Sequence, residues 1–314
     1  MWIDNELENQ VDVKADNGFS HKVAHLINVF EQLVVPELIP WLGEVSDLDR
    51  DGKFSIVLTN QLNQLATEKT PLTGLTWSGD YRRELGPPFG NQADLLYLNP
   101  VEASEELLTE VLIHEYVHAL SFDLHLKSSN KPGYQQFEED WLNEALAHVV
   151  ETRLSGTHFN IQDRLKIYES HQGQYPLVVP DYYRSRLWRS DGCRGATFSF
   201  LNWCAGESDS DFLPRLLHAD QHGIRNIENA CGQNFSELFR RWSIAVAQEA
   251  TNATSINPEE VHSWNQAATS WSLFRLQKAD TERILVRIKN ESESGIQLTL
   301  IPLSDPKAEE ALIY

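Results

Sequence analysis

Basic residues are scarce in this chain of 314 residues. It holds 26 lysines and arginines against 46 aspartates and glutamates, so its formal net charge is -20. Long-range repulsion from such a charge disfavours nucleic acid and anionic membrane surfaces, and it favours cationic ligands and metal ions. The chain also lacks any uninterrupted apolar run that approaches the ~18 residues of a membrane span. We therefore expect neither nucleic acid nor a membrane among its partners.

Cysteine is also rare. Cys193, Cys204 and Cys231 lie in one late segment without CxxC spacing, which excludes a zinc ribbon. Cysteines at this low density are typical of small buried hydrophobic side chains, and one disulfide with a free thiol is the alternative. The cysteines therefore do not distinguish between an oxidising and a reducing compartment.

Hydrophobic periodicity predicts an α+β fold. We expect a helix over residues 19–33 that ends near Pro36 and Pro40, and strands over residues 53–60 and 94–100. The later elements are predicted helices over residues 101–122 and 138–154, further helices between residues 192 and 250, and alternating strands after them. These elements suggest three parts: an N-terminal α/β subdomain, a mainly helical subdomain and a strand-rich segment, over residues 1–126, 127–252 and 253–314.

The segment HEYVH, residues 114–118, has the spacing of a metal site. Its histidines are four residues apart and share one helix face, and Glu115 lies beside the first. The flanking residues are apolar, which indicates a buried helix. Burying two imidazoles and a carboxylate without partners would cost several kcal/mol, whereas a metal ion and its water satisfy all three. We therefore predict that His114 and His118 bind a metal ion.

A catalytic zinc site usually has three protein ligands and a water molecule. The pattern HExxHxxGxxH is absent, because the chain has Ser121 and Leu124 at the required Gly and His positions, and its only methionine, Met1, cannot form a Met-turn. This excludes metzincins.

The next predicted helix, WLNEALAHVVE, offers a different third ligand. Glu144, His148 and Glu151 form a polar line on this otherwise apolar helix. The loop after His118 is long enough to return an antiparallel helix across the first. We predict His114, His118 and Glu144 as zinc ligands, with His148 and Glu151 hydrogen-bonded to the ligand histidines.

HEYVHAL followed by WLNEALA resembles the gluzincin zinc metallopeptidases, and within them the hyicolysin-type endopeptidases. The segments DLDRDGKFSIVL, NQADLLYLN and HGIRNIENACGQNFSELFRRW extend the resemblance over about residues 1–250. It implies a thermolysin-like catalytic core over the first two parts of the chain, Zn²⁺ as cofactor, a peptide or protein substrate, and Glu115 as the general base. The chain has no GxMEN motif to hold a free amine, which favours internal cleavage.

Two positions depart from the pattern of this group. Arg194 and Gly195 stand where a Tyr-Gly pair is common, so the transition-state donor is either Arg194 or one of Tyr175, Tyr182 and Tyr183. His148 stands where an acidic residue is common. A catalytically inactive, zinc-containing peptide-binding module is therefore the alternative to an enzyme.

Two further predictions concern the region before HEYVH. Asp47, Asp49 and Asp51 have the spacing of a calcium loop without its final glutamate, and a polar turn is the alternative to a Ca²⁺ site. The strand over residues 94–100 is expected either at a sheet edge, where it would pair with an extended peptide, or in the sheet interior.

Localisation remains undetermined from the sequence. The segment MWIDNELENQVD lacks the basic start and apolar run of a signal peptide, which favours a cytoplasmic protein. The family resemblance favours instead a secreted or cell-envelope protein from which a leader has been trimmed.

Overall fold

The computed structural model describes residues 1–5, 7, 17–65, 72–101, 103–128, 137–188 and 190–252. Within them, one mixed sheet of four strands lies beside a larger helical layer. The strands are β1 (Trp2–Ile3), β2 (Ser55–Leu58), β3 (Gly74–Leu75) and β4 (Leu95–Leu98), in the spatial order β1-β2-β4-β3. The first three strands of that order are parallel, and β3 runs antiparallel to β4. The α+β class is thus confirmed.

Strand β4 lies inside the sheet and not at its edge. It pairs with β2 from Ser55 opposite Leu95 to Leu58 opposite Leu98, and with β3 on its other side. Its apolar run of leucines is typical of a strand that is covered on both faces. Of the two positions expected for the strand over residues 94–100, the sheet interior is therefore confirmed and the sheet edge is wrong, and β3 is an edge strand.

The first long helix passes through both of its prolines. Helix α1 (Asn17–Val29) continues as a π-helical segment (Phe30–Leu38) and then as α2 (Ile39–Leu42). The π segment contains Pro36, and the amide of Ile39 bonds five residues back to Val34, a wider turn than that of an α-helix. Pro40 lies at the start of α2, where a missing amide hydrogen costs little. Because the chain changes its helical register there, the helical run passes residue 33 and Pro36 and ends at Leu42, two residues after Pro40.

The helices predicted over residues 101–122 and 138–154 and between residues 192 and 250 are confirmed, whereas those at Leu62–Leu65 and Gln162–Ser170 were not predicted. Helix α4 begins one residue after Ser104, whose hydroxyl accepts a hydrogen bond from the amide of Leu107, and it extends beyond the predicted end. The helices are α3 (Leu62–Leu65), α4 (Glu105–Ser128), α5 (Asp140–Ser155), α6 (Gln162–Ser170), α7 (Asp191–Glu207), α8 (Phe212–Leu217), α9 (Gly223–Cys231) and α10 (Phe235–Asn252), with a 3₁₀ turn at Gln172–Gln174.

Helix α4 is the centre of the molecule. Every residue from 110 to 121 is buried, because α4 contacts β3 and β4 on one side and α5 on the other. Helix α5 in turn packs on α7. A single apolar core joins side chains of all these layers, among them Leu96, Leu112, Trp141 and Phe200. Polar side chains on the facing surfaces of α4 and α5 are therefore held away from bulk water.

Some predictions remain untested by this architecture. The thermolysin-like core and the division at residues 126 and 252 stay predictions, and the strand-rich segment over residues 253–314 lies outside the described residues. None of the described helices combines the length and apolar character that crossing a bilayer requires.

Candidate metal centre

Three donor atoms from two helices converge between α4 and α5. The Nε2 atoms of His114 and His118 are 3.0 Å apart. Oε2 of Glu144 lies 3.4 Å from the Nε2 atom of His114 and 3.9 Å from that of His118. Tetrahedral ligands about 2.0–2.1 Å from a zinc-sized ion would be about 3.3 Å apart. The predicted ligand set therefore has spacing that one metal ion can bridge with small side-chain adjustments.

The hydrogen bonding of Glu144 also fits a bound cation. Its Oε1 atom accepts a hydrogen bond from Nη2 of Arg194 at 2.8 Å, whereas Oε2, which faces the histidines, is buried without a hydrogen-bond partner among the described residues. Although burial opposes ionisation, Arg194 and the histidines hold the pKa of Glu144 well below its usual value. A buried, ionised carboxylate oxygen that accepts no hydrogen bond is costly, and a metal ion would remove that cost.

The ring of His114 is fixed from behind by Glu151. Nδ1 of His114 lies 2.8 Å from Oε2 of Glu151. An ionised carboxylate can only accept, so Nδ1 donates to Glu151 and Nε2 is the ring atom that faces the other donors. Despite burial, which acts in the opposite direction, Glu151 and Glu144 raise the pKa of His114 to about 10. This surplus of negative charge around one imidazole favours a cation at the centre.

His148 acts one step further from the centre than predicted. Its Nδ1 atom lies 2.7 Å from Oε1 of Glu151, and its ring packs against His114 with centroids 4.4 Å apart. It therefore contacts the ring of His114, a predicted ligand, but shares the carboxylate of Glu151 instead of hydrogen-bonding either predicted ligand histidine. Burial lowers the pKa of His148 to about 4, so its ring is neutral near pH 7.

A loop after α5 completes the support for Glu151. Nδ2 of Asn160 donates to both oxygens of Glu151, at 3.2 and 2.9 Å. The loop is held in turn by Glu110, a fully buried carboxylate one turn before His114, which accepts from the amides of Phe159 and Asn160. Sequence reasoning missed both residues; the only available signal was an acidic residue, Glu110, on an otherwise apolar helix stretch.

Asn143 is a third missed residue, although it precedes Glu144 directly. Its Oδ1 atom and Nδ1 of His118 are both buried and have no hydrogen-bond partner among the described residues. The Asn143 side chain is close enough to His118 to affect its pKa, which burial and the neighbouring His114 lower to about 3. Asn143 is thus placed to orient His118 as Glu151 orients His114.

The carboxylate of Glu115 faces the sheet at the side of the centre. Its Oε2 atom accepts a hydrogen bond from the hydroxyl of Thr76 at 2.9 Å, just beyond β3. Burial raises the pKa of Glu115 to about 7, because His114 and Thr76 offset the loss of water only in part. A Cβ atom at Gly74 would lie 2.7 Å from Oε1 of Glu115, so only glycine permits this close approach of strand and carboxylate.

The candidate transition-state donors are placed very differently. Arg194 is at the centre but bonded to Glu144. Tyr182 is buried, and the charges of Glu144 and Arg194 act on its hydroxyl. The Tyr175 ring packs over Gly192, and Tyr183 is 78% exposed. The structure thus brings Arg194 and Tyr182 to the site and leaves Tyr183 in solvent; the donor role itself stays a prediction.

The segment that contains Asp47, Asp49 and Asp51 forms a turn held by hydrogen bonds between its own carboxylates and backbone amides. Asp47 accepts from the amides of Asp51 and Gly52, and Asp51 accepts from the amide of Lys53. Carboxylate oxygens of Asp47 and Asp49 approach that of Asp94, whereas Asp51 is not part of this group. Calcium binding here stays a prediction, and Asp94 was not among its predicted ligands.

The three cysteines are free thiols, so the alternative of a disulfide is not observed. Cys193 and Cys204 are buried, as expected for small apolar side chains, and Cys231 is half-buried.

Comparison of the chain with protein-family models gave no match, and neither did comparison with curated proteins. The functional assignment therefore depends on the geometry of this site and on its chemistry.

Proposed function

We propose that this protein is a zinc-dependent metalloendopeptidase with His114, His118 and Glu144 as zinc ligands and Glu115 as general base. One observation carries the proposal: two buried histidines and a partly buried glutamate bring their donor atoms together, and another buried group, the carboxylate of Glu115, lies beside them without being used to hold them. A purely structural metal site has no need of such a carboxylate. A hydrolytic site requires it.

Zinc, when bound, would polarise the scissile carbonyl and lower the pKa of a water molecule. The residues of the chain supply the remaining chemistry. Glu115 takes the proton of the attacking water and passes it to the amine that leaves, and Thr76 holds the carboxylate in position for both transfers. Burial of Glu115 makes its anionic form a stronger base than an exposed glutamate would be.

Strand β3 supports an extended peptide as substrate. Among the described strands it is paired on one side only, and its Gly74 contacts Glu115. A peptide that adds to this open edge would have its backbone beside the general base and the metal ligands. Because main-chain pairing does not require a free terminus, this geometry favours cleavage within a chain over removal of terminal residues.

The decisive experiment is the substitution Glu115→Gln, with zinc content and cleavage of denatured casein measured on the same preparation. We expect the variant to keep its zinc, because Glu115 is not a ligand, and to lose cleavage, because an amide cannot accept the proton of water. The matched control is Glu106→Gln on the exposed surface of the same helix, which should keep both.

The peptidase and the catalytically inactive peptide-binding module predict different results in the cleavage assay. Chelator-sensitive cleavage by the unmodified protein supports the peptidase. Bound zinc without cleavage of any of a broad set of unfolded proteins supports the peptide-binding module, and cleavage by Glu115→Gln removes the assigned base.

A further inference from the structure

A second cluster of metal-binding side chains lies further along α4. His125, Glu138 and His222 come from the last turns of α4, the segment before α5 and the residue before α9. One donor atom from each lies within 4.8 Å of the others. His125 follows His118 by about 10 Å along the helix axis, so this cluster is separate from the candidate zinc centre.

His125 is oriented as a metal-binding histidine would be. Its Nδ1 atom lies 2.7 Å from the backbone oxygen of Ser121. A carbonyl oxygen can only accept, so Nδ1 carries the proton and the neutral ring presents the lone pair of Nε2. Ligand histidines are commonly fixed by such a bond from their other nitrogen.

Glu138 has the remaining capacity for one ion. It is 8% exposed, and its Oε1 atom accepts hydrogen bonds from the amides of Gly223 and Glu139. Its Oε2 atom accepts one from Nδ2 of Asn226. A carboxylate offers about four lone-pair positions, so these three bonds fix its orientation and leave one position on Oε2.

His222 supplies the third donor. Its ring centroid lies 5.2 Å from that of His125, and its Nδ1 atom is buried without a hydrogen-bond partner among the described residues. The negative charge of Asp220 acts on both histidines, and Asp220 and His125 line the same surface cleft. The cleft, which Lys127 also lines, opens the His125 side of the cluster to solvent.

We propose that His125, Glu138 and His222 form a second metal site, for a divalent ion of the zinc class. Two imidazoles and one carboxylate are donors that such ions prefer. The ion would join α4, the start of α5 and the start of α9, and so has a structural role that does not depend on peptide hydrolysis.

The test uses the full chain with its first site disabled by Glu144→Ala. The metal is removed with a chelator, and zinc chloride is titrated by calorimetry while the melting temperature is followed. In the Glu144→Ala protein we expect about one zinc ion with micromolar or tighter affinity and a higher melting temperature when it is bound. Adding His222→Ala should abolish both effects, and so should adding His222→Gln, which retains a polar side chain.

A matched control distinguishes the specific effect of removing His222 from the effect of removing any histidine. His171 is exposed and lies on another segment, so His171→Ala in the same background should still bind zinc and gain stability. Far-UV circular dichroism of each metal-free variant should match that of its parent. Equal zinc binding with and without His222, or equal loss in the His171 control, would overturn the second site. Neither result bears on cleavage by the protein with an intact Glu144.

Discussion

At the scale of single residues, the candidate zinc centre depends on side chains that do not bind the metal. Glu151 joins His114, His148 and Asn160 through one buried carboxylate. Its negative charge holds the proton of His114 on Nδ1, which leaves Nε2 to bind an ion. The affinity of the centre for zinc should therefore depend on the charge of Glu151 as well as on its shape.

The substitution Glu151→Gln tests this dependence. It keeps an oxygen for Asn160 but removes the charge facing His114, so we expect zinc affinity to fall by about 10- to 100-fold. Competition with a chromogenic chelator measures the change. Glu169→Gln, at an exposed position on α6, is the matched control and should have unchanged affinity. If both variants bind zinc equally well, Glu151 does not orient the ligand.

Tyr182 and Tyr183 form a natural pair for testing the transition-state donor. Burial and the charge of Glu144 raise the pKa of Tyr182, so its hydroxyl stays protonated and able to donate at any working pH. We expect Tyr182→Phe to lower kcat by about 10²-fold with bound zinc unchanged. Tyr183→Phe removes the same atom from an exposed side chain and should have no effect. Unchanged kcat in Tyr182→Phe would leave Arg194 as the candidate donor.

At the scale of elements, the long helices were predictable and the connections were not. The apolar residues around His114 and His118 predict helix α4, because a helix that is buried on all sides has few polar positions. Strand β3 has two residues, too few to show alternation, so it was not predicted, and the position of β4 stayed open between the edge and the interior of the sheet. The role of Asn160 arises only when its loop folds against Glu110, which local sequence does not encode.

The close packing of β3 on α4 leads to a prediction about Gly74. A Cβ atom there would lie 2.5 Å from Cγ1 of Val111 and 2.7 Å from the Glu115 side chain, so Gly74→Ala must displace one of them. We expect peptide cleavage to fall on the order of 10²-fold, because small misplacements of a general base are costly. The matched control is Gly86→Ala, where a Cβ atom meets nothing within 4 Å. A fully active Gly74→Ala protein would show that β3 does not position Glu115.

At the scale of the whole molecule, the net charge of -20 should select among substrates by their charge. Two peptides with one central sequence, flanked by lysines or by glutamates, would differ in how fast they reach the acidic protein. At low ionic strength we expect kcat/KM to be at least about tenfold higher for the lysine peptide, because electrostatic attraction raises the rate of association. The difference should largely disappear near 1 M salt, where charges are screened beyond about 3 Å. A peptide with uncharged flanks serves as the control and should show little dependence on salt. A preference for lysine that persists at high salt would instead indicate direct contacts in the cleft, and a preference for the glutamate peptide would contradict attraction by the overall charge.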